Sequence, residues 1–309
     1  MSHPLFLESE FAPRPAGDAR FHVVSAPFEA SVSYGGGTAG GPAAIIEASN
    51  QLEVFDGLSC PGEEGIHTWP PVDCRGAAAE AFPRISGAVR RAVLEGAGGA
   101  GVPVVLGGEH SITAPALAGL LEATGAATPG TAGADTSAVP LGVVQIDAHA
   151  DLRDEYEGSR ESHACVARRI HGDMGIPLLQ IGVRSLSPEE VLYRAAPPNG
   201  VPLIFHDAPS IVPGGVSSIE IPRDFPPRVY ISVDVDGLDP SVIPATGTPV
   251  PGGLGWYELL GILTSIADSR RVVGMDVVEL APIADQHAWT YAAAELAHRM
   301  MGIVARSHV

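Results

Sequence analysis

The sequence of 309 residues contains no lysine; all 18 of its basic residues are arginine. That excludes Schiff-base lysine chemistry, including the usual attachment of pyridoxal phosphate, and the phosphate-binding lysine of P-loop proteins. Cysteine is scarce too. Cys60, Cys74 and Cys165 are too few and too scattered for a disulfide framework or a cysteine-rich zinc site, and core packing is the expectation for each. No apolar run approaches the roughly 20 residues that a membrane-spanning helix needs, so no membrane partner is expected. The opening Met1-Ser2-His3-Pro4 has no basic segment leading into an apolar one, so a signal peptide is not expected and a cytoplasmic location is the default.

Acidic and apolar residues are plentiful. The 36 carboxylates leave a formal charge of −18, which argues against a nucleic-acid partner, because phosphate binding depends on clustered Lys and Arg. The same charge is compatible with a cationic substrate. Apolar residues make up 45% of the chain, enough for a large core. No linker divides it, so one domain over residues 1–309 is expected.

Short β-branched runs alternate with longer helix-compatible stretches. The strand candidates are Phe21–Ala26, Ile66–Pro71, Val102–Leu106, Gly142–Ile146, Leu178–Val183, Val201–Phe205, Val229–Val235 and Val272–Val278. Several are apolar throughout, the pattern of parallel strands covered on both faces. Helices are expected at Ala78–Glu95, Thr113–Leu121, Trp256–Ala267 and Ala292–Ala305. This alternation predicts an α/β fold built from βαβ crossovers, in which ligands bind at the carboxyl ends of the strands. The segment Ala123 to Pro140 reads as a surface insertion, and Pro197 to Pro227 as a connecting loop.

Three clusters fall at predicted strand exits. In Asp147-Ala148-His149-Ala150-Asp151, residues two apart share a face of extended chain, so two carboxylates and an imidazole converge. Those carboxylates would repel one another unless a cation sat between them. Asp234 and Asp236, in Ser232 through Pro240, share a face in the same way. In Gly107-Gly108-Glu109-His110-Ser111 the glycines permit a tight turn, Ser111 is a candidate N-cap and His110 sits where a ligand is wanted. Two histidines and four aspartates exceed the needs of one zinc ion but suit two hard divalent ions; carboxylate-rich ligation without thiolate favours manganese.

At these residues the sequence resembles the ureohydrolase family of arginases, agmatinases and their relatives. The resemblance continues through Gly40 to Ile45, Ala245-Thr246-Gly247-Thr248-Pro249 and Gly274 to Glu279, in the family's order over nearly the whole chain. Glu109 departs from the pattern, where Asp is more usual. The resemblance implies a three-layer α/β/α fold around a mostly parallel eight-stranded sheet, and a homo-oligomer, trimer or hexamer. It implies two Mn2+ ions held by His110, Asp147, His149, Asp151, Asp234 and Asp236, supplying hydroxide near neutral pH. Glu279 would pair with a substrate guanidinium, Asp151 would accept a proton, His163 would protonate the leaving amine, and Thr246 would join Glu279 and His163 in binding substrate.

The loop Leu152 to His163 resembles that of prokaryotic agmatinases rather than arginases. Its Asp154, Glu155, Glu157 and Glu161 would suit a distal ammonium, which makes agmatine, giving urea and putrescine, the first choice. N1-aminopropylagmatine and arginine are alternatives. So is 4-guanidinobutyrate, if Arg160 points inward. A metallophosphatase also opens its metal set with Asp-x-His, but its Gly-Asn-His motif is absent. A catalytically inactive homologue with a binding or regulatory role would not need all six ligands together with Glu279 and His163.

Overall fold

The computed structural model describes residues 3–125, 140–197, 200–214 and 219–307. The strands are β1 (Phe21–Ala26), β2 (Ile66–Thr68), β3 (Val102–Gly107), β4 (Leu141–Ile146), β5 (Leu178–Ile181), β6 (Leu203–His206), β7 (Arg228–Asp234) and β8 (Arg271–Val278). They form one eight-stranded sheet in the order β2-β1-β3-β8-β7-β4-β5-β6, with every neighbouring pair parallel.

The helices are α1 (Gly41–Ser49), α2 (Ala78–Glu95), α3 (Thr113–Thr124), α4 (Val166–Arg168), α5 (Pro188–Ala195), α6 (Ala208–Ile211), α7 (Trp256–Ser269) and α8 (His287–Arg306). Alternation along the strands divides the core in two. Val104, Leu106, Val144 and Ile146 pack with Ile45 of α1, Ile262 of α7 and Leu296 of α8. Val105 and Val143, one residue out of phase, pack with Ile85 of α2 and Leu117 of α3 on the other face. Both faces are therefore covered, which is why β1, β3, β4 and β5 are buried at every position. The result is the expected three-layer α/β/α arrangement.

Some expectations need correction. The strand predicted over Ile66–Pro71 stops at Thr68, because Pro70 and Pro71 have no N–H with which to continue the ladder. The supposed loop Pro197 to Pro227 contains, besides the expected strand at Val201–Phe205 that appears as β6, the short helix α6, which Pro209 helps to start. Helices α1, α4 and α5 went unpredicted, although Ser187 and Glu190 form a capping box whose S-x-x-E pattern is visible in the sequence. Ser111 is not an N-cap: Ile112 holds that position in α3, and the Ser111 hydroxyl donates to Glu109. Of the cysteines only Cys165 is buried; Cys60 and Cys74 are partly exposed. Most of the predicted surface insertion, residues 126–139, lies outside the described residues.

Candidate metal centre and active site

Strands β3, β8, β7 and β4 are neighbours in the middle of the sheet, and being parallel they end on one edge. Each delivers one part of the site there: His110 after β3, Glu279 after β8, Asp234 and Asp236 from β7, and Asp147 through Asp151 after β4. Two glycines let these segments approach. A Cβ on Gly237 would lie 2.9 Å from the Asp147 nitrogen, and one on Gly108 would lie 2.1 Å from the Phe28 carbonyl oxygen. Asp151 and Glu279 have φ of 53° and 64°, a left-handed backbone that ordinary side chains rarely adopt. Such strain persists where the surrounding structure enforces it, typically at functional sites.

Five of the six residues named from sequence converge as two clusters, His110–Asp147–Asp234 and Asp147–His149–Asp236, with Asp147 common to both, and the sixth, Asp151, lies beside His110. The His110 Nδ1 atom lies 3.0 Å from Asp147, 3.1 Å from Asp151 and 3.4 Å from Asp234. It is buried and accepts or donates no hydrogen bond among the described residues. An orphaned imidazole nitrogen among three carboxylates fits a divalent cation. On the other side, His149 Nδ1 is 3.0 Å from Asp236 and 3.7 Å from Asp147.

Without ions, protons must do the balancing. Burial disfavours charged His149, but hydrogen bonds to Asp147 and Asp236 outweigh it and push its pKa up to about 12. Burial and the charge of Asp147 carry Asp151 to about 7. Burial, with the charges of Asp236 and Asp147, raises Asp234 well above the carboxylate range. Protons held in this way are those that entering cations displace.

The supporting contacts orient the ligands. His110 Nε2 lies 2.9 Å from the Ser232 hydroxyl, which donates to buried Asp276 at 2.7 Å, and Thr113 donates to the other Asp276 oxygen at 2.8 Å. With its only proton given to Asp276, Ser232 must accept from Nε2–H, which leaves Nδ1 as the ligating atom. Gln145 donates to Asp147 at 2.7 Å and receives from Gln180 at 2.8 Å. Sequence reading assigned no role to Asp276, Ser232, Thr113 or Gln145. For Asp276, Ser232 and Gln145 the available signal was a charged or polar residue inside an otherwise apolar strand; Thr113, at the start of α3, carried none. Asp276→Asn is expected to weaken metal affinity about 10–100-fold, read by metal titration; unchanged affinity would show that this chain does not orient His110.

A family model described as Arginase family matches residues 19–302. The chain belongs to the arginase family. It is 36% identical to N(1)-aminopropylagmatine ureohydrolase of Synechocystis sp., over 96% of this chain and 92% of that one. It is 32% identical to the agmatinase of Pyrococcus horikoshii, over 94% and 93%. The solved structure of proclavaminate amidino hydrolase from Streptomyces clavuligerus superposes with a TM-score of 0.80 at 26% identity, covering 100% of this chain and 99% of that one. The chain is thus a ureohydrolase of guanidino compounds whose His and Asp clusters fit a binuclear metal site.

In this arginase-family chain the clusters open into a cavity of about 230 Å³. His149, Asp151, Asp234, Asp236, Glu279 and His163 line its inner part, and Tyr34, Arg153, Tyr156, Ser187 and Glu190 are also on its walls. Glu279 accepts the His110 N–H at 2.6 Å, and burial raises its pKa well above the usual range. Burial lowers the pKa of His163, with the nearby Glu109 charge opposing.

Two sets of residues expected near the substrate are not among the wall residues. Thr246 is not on them; Gly247 and Thr248 are, because a tight turn closed by the Thr246 N–H onto the Pro244 carbonyl bends the chain between them. The acidic loop residues Asp154, Glu155, Glu157 and Glu161 do not line the cavity, and neither does Arg160. Asp154 is neutralised by Arg160 and Arg169 at 2.8 and 2.5 Å, and Arg160 also reaches Asp173 at 3.3 Å. These ion pairs, invisible in residue order, engage Asp154 and Arg160 outside the cavity.

Proposed function

We propose that the chain releases urea from an amine-tailed alkyl guanidine, N1-aminopropylagmatine ahead of agmatine. The reading is carried by one observation: Glu279 shares a cavity with two His/Asp clusters joined through Asp147. His110, Asp147, His149, Asp151, Asp234 and Asp236 would hold two divalent ions, manganese by the chemistry of the donors. Those ions, when bound, supply hydroxide near neutral pH.

The chain's own groups do the rest. Glu279 receives the guanidinium as a charge-assisted pair and orients its carbon. Asp151, a carboxylate on the cavity wall, takes up a proton and passes it on with the departing amine. His163, on the cavity wall, gives a proton to the departing amine nitrogen as the C–N bond breaks. The products are urea and spermidine from aminopropylagmatine, or urea and putrescine from agmatine. The order of substrates departs from that given by the acidic loop, because the acidic residues of that loop do not line the cavity. The name of the Synechocystis relative supports the longer tail, as does Tyr34, a cavity-wall residue that is 87% exposed and so leaves the mouth open. We place this activity in a cytoplasmic, single-domain homo-oligomer.

One observation favours a second reading. Arg153 lines the cavity above the Tyr156 ring, 5.0 Å from its centre, and no carboxylate lies within ion-pair distance among the described residues. A free guanidinium there would hold the carboxylate of 4-guanidinobutyrate. Urea release by manganese-loaded protein across aminopropylagmatine, agmatine, arginine and 4-guanidinobutyrate separates the two. For an amine-tailed substrate, Arg153→Met should keep or raise the rate, since it removes a like charge. If 4-guanidinobutyrate is the fastest substrate and Arg153→Met abolishes its turnover, the second reading replaces the first.

A further inference from the structure

Glu109 is fully buried beside the metal centre, yet its carboxylate contacts none of the candidate ligand side chains. One oxygen accepts the Ala30 and Ser31 N–H groups at 2.6 and 2.7 Å; the other accepts the hydroxyls of Ser31 at 2.8 Å and Ser111 at 2.6 Å. Ser31 leads on to the wall of the cavity. Its oxygen accepts the His163 N–H at 2.9 Å and lies 3.1 Å from His163 Nδ1. The Ser162 hydroxyl is a second, longer neighbour of Nδ1 at 3.4 Å, and the Tyr156 ring meets the imidazole edge to face at 6.0 Å.

Counting protons assigns the direction of each bond. A hydroxyl has one proton, and an ionised carboxylate only accepts. With the Ser31 proton committed to Glu109, its oxygen can only accept from the ring, so Nδ1 must carry hydrogen. Nε2 is then the nitrogen left to exchange a proton with whatever occupies the cavity. The long Glu109 side chain suits this arrangement, because it spans from the turn after β3 to the separate loop that carries Ser31.

We propose that Ser31 and Glu109 are positioning residues for His163, fixing its ring and its Nδ1–H tautomer so that Nε2 delivers the proton to the leaving amine. The inference rests on the reading of His163 as the proton donor. In the step itself, the C–N bond to the alkyl amine breaks and the nitrogen keeps the bonding pair. That nitrogen takes the Nε2 proton of the imidazolium, and the ring is left neutral with its Nδ1–H still held by Ser31. An entering water then returns a proton to Nε2, and the hydroxide it leaves replaces the one consumed in the turnover.

The test is a double-mutant cycle on manganese-loaded full-length protein, with metal content checked for every variant. His163→Asn should lower kcat about 100-fold, the lower range for loss of a general acid. Ser31→Ala should lower kcat about tenfold with KM little changed, since a misaligned acid loses part of that advantage. Ser31→Thr, which keeps the hydroxyl, should restore most of it. The decisive arm is Ser31→Ala in the His163→Asn background, where no further loss is expected, because two residues acting through one group are not additive. An equal loss in both backgrounds would make Ser31 merely structural and overturn the proposal, as would full activity of Ser31→Ala. Unchanged kcat in His163→Asn would instead remove the proton-donor reading, and the proposal with it.

Discussion

Asp147→Asn should abolish urea release and lower bound metal to a trace, although the substitution changes the shape of the side chain very little. Asp147 belongs to both ligand clusters and is completely buried. Its removal takes one negative charge from each prospective ion, in a place where water cannot substitute. Asp147 also accepts the His149 N–H at 2.6 Å and the Gln145 amide at 2.7 Å. An asparagine cannot satisfy both donors and a cation, since only one of its two terminal atoms accepts. Asp234→Asn is the informative partner, because Asp234 belongs to only one cluster. It should release one equivalent of metal where Asp147→Asn releases both, as read by elemental analysis beside a urea assay. Full activity with metal content unchanged in both variants would sink the ligand assignment.

Glu279→Gln should lower kcat/KM about 10²–10³-fold while leaving metal content intact, as losing the charge of a buried pair costs about 3–4 kcal/mol. One Glu279 oxygen is engaged by the His110 N–H, and its second oxygen has no hydrogen-bond partner among the described residues. Burial makes this carboxylate poorly disposed to remain charged alone, so a cationic guanidinium is the partner that stabilises it. Glutamine keeps an acceptor for His110 but presents an amide to the substrate. A loss in kcat and kcat/KM together would mean that the pair tightens as the guanidinium carbon is attacked; a loss confined to KM would mean that it only holds substrate. A change below about threefold, against the scale expected for a buried ion pair, would show that Glu279 does not meet the guanidinium.

The sheet was legible because its code is local. A strand buried on both faces is mostly apolar along its length, and the runs centred on Val23, Val104, Val144, Leu179, Ile231 and Met275 are, broken by single polar residues such as Gln145, Ser232 and Asp276. The short helices were harder. Helix α1 begins with Gly41-Pro42, which reads as a turn until its Ile45 and Ile46 are seen to be buried. The metal residues were legible for the same local reason, since Asp147, His149 and Asp151, or Asp234 and Asp236, are spaced two apart at a strand end. Asp236 nevertheless sits in a 3-10 turn and Asp151 on left-handed backbone, and each cluster joins residues of different strand ends.

What residue order could not convey depends on separations that only folding closes. Ser31 meets His163 across 132 positions, and Thr113 meets Asp276 across 163. Hydroxyls and isolated carboxylates of this kind are common, and nothing in their immediate neighbours marks them. The loop after Asp151 shows the opposite failure. Its acidic residues suggested a binding surface, but Arg160 and Arg169 draw Asp154 into ion pairs outside the cavity, and Arg153 is on the wall. The sequence by itself determined the parallel sheet and the metal-binding character of its strand ends, because both are written in neighbouring residues of single segments, and through its resemblance to the ureohydrolases it also indicated the class of reaction. Tertiary structure alone decided which side chains orient those ligands and which line the substrate's tail, because both depend on distances between segments that the chain brings together only when it folds.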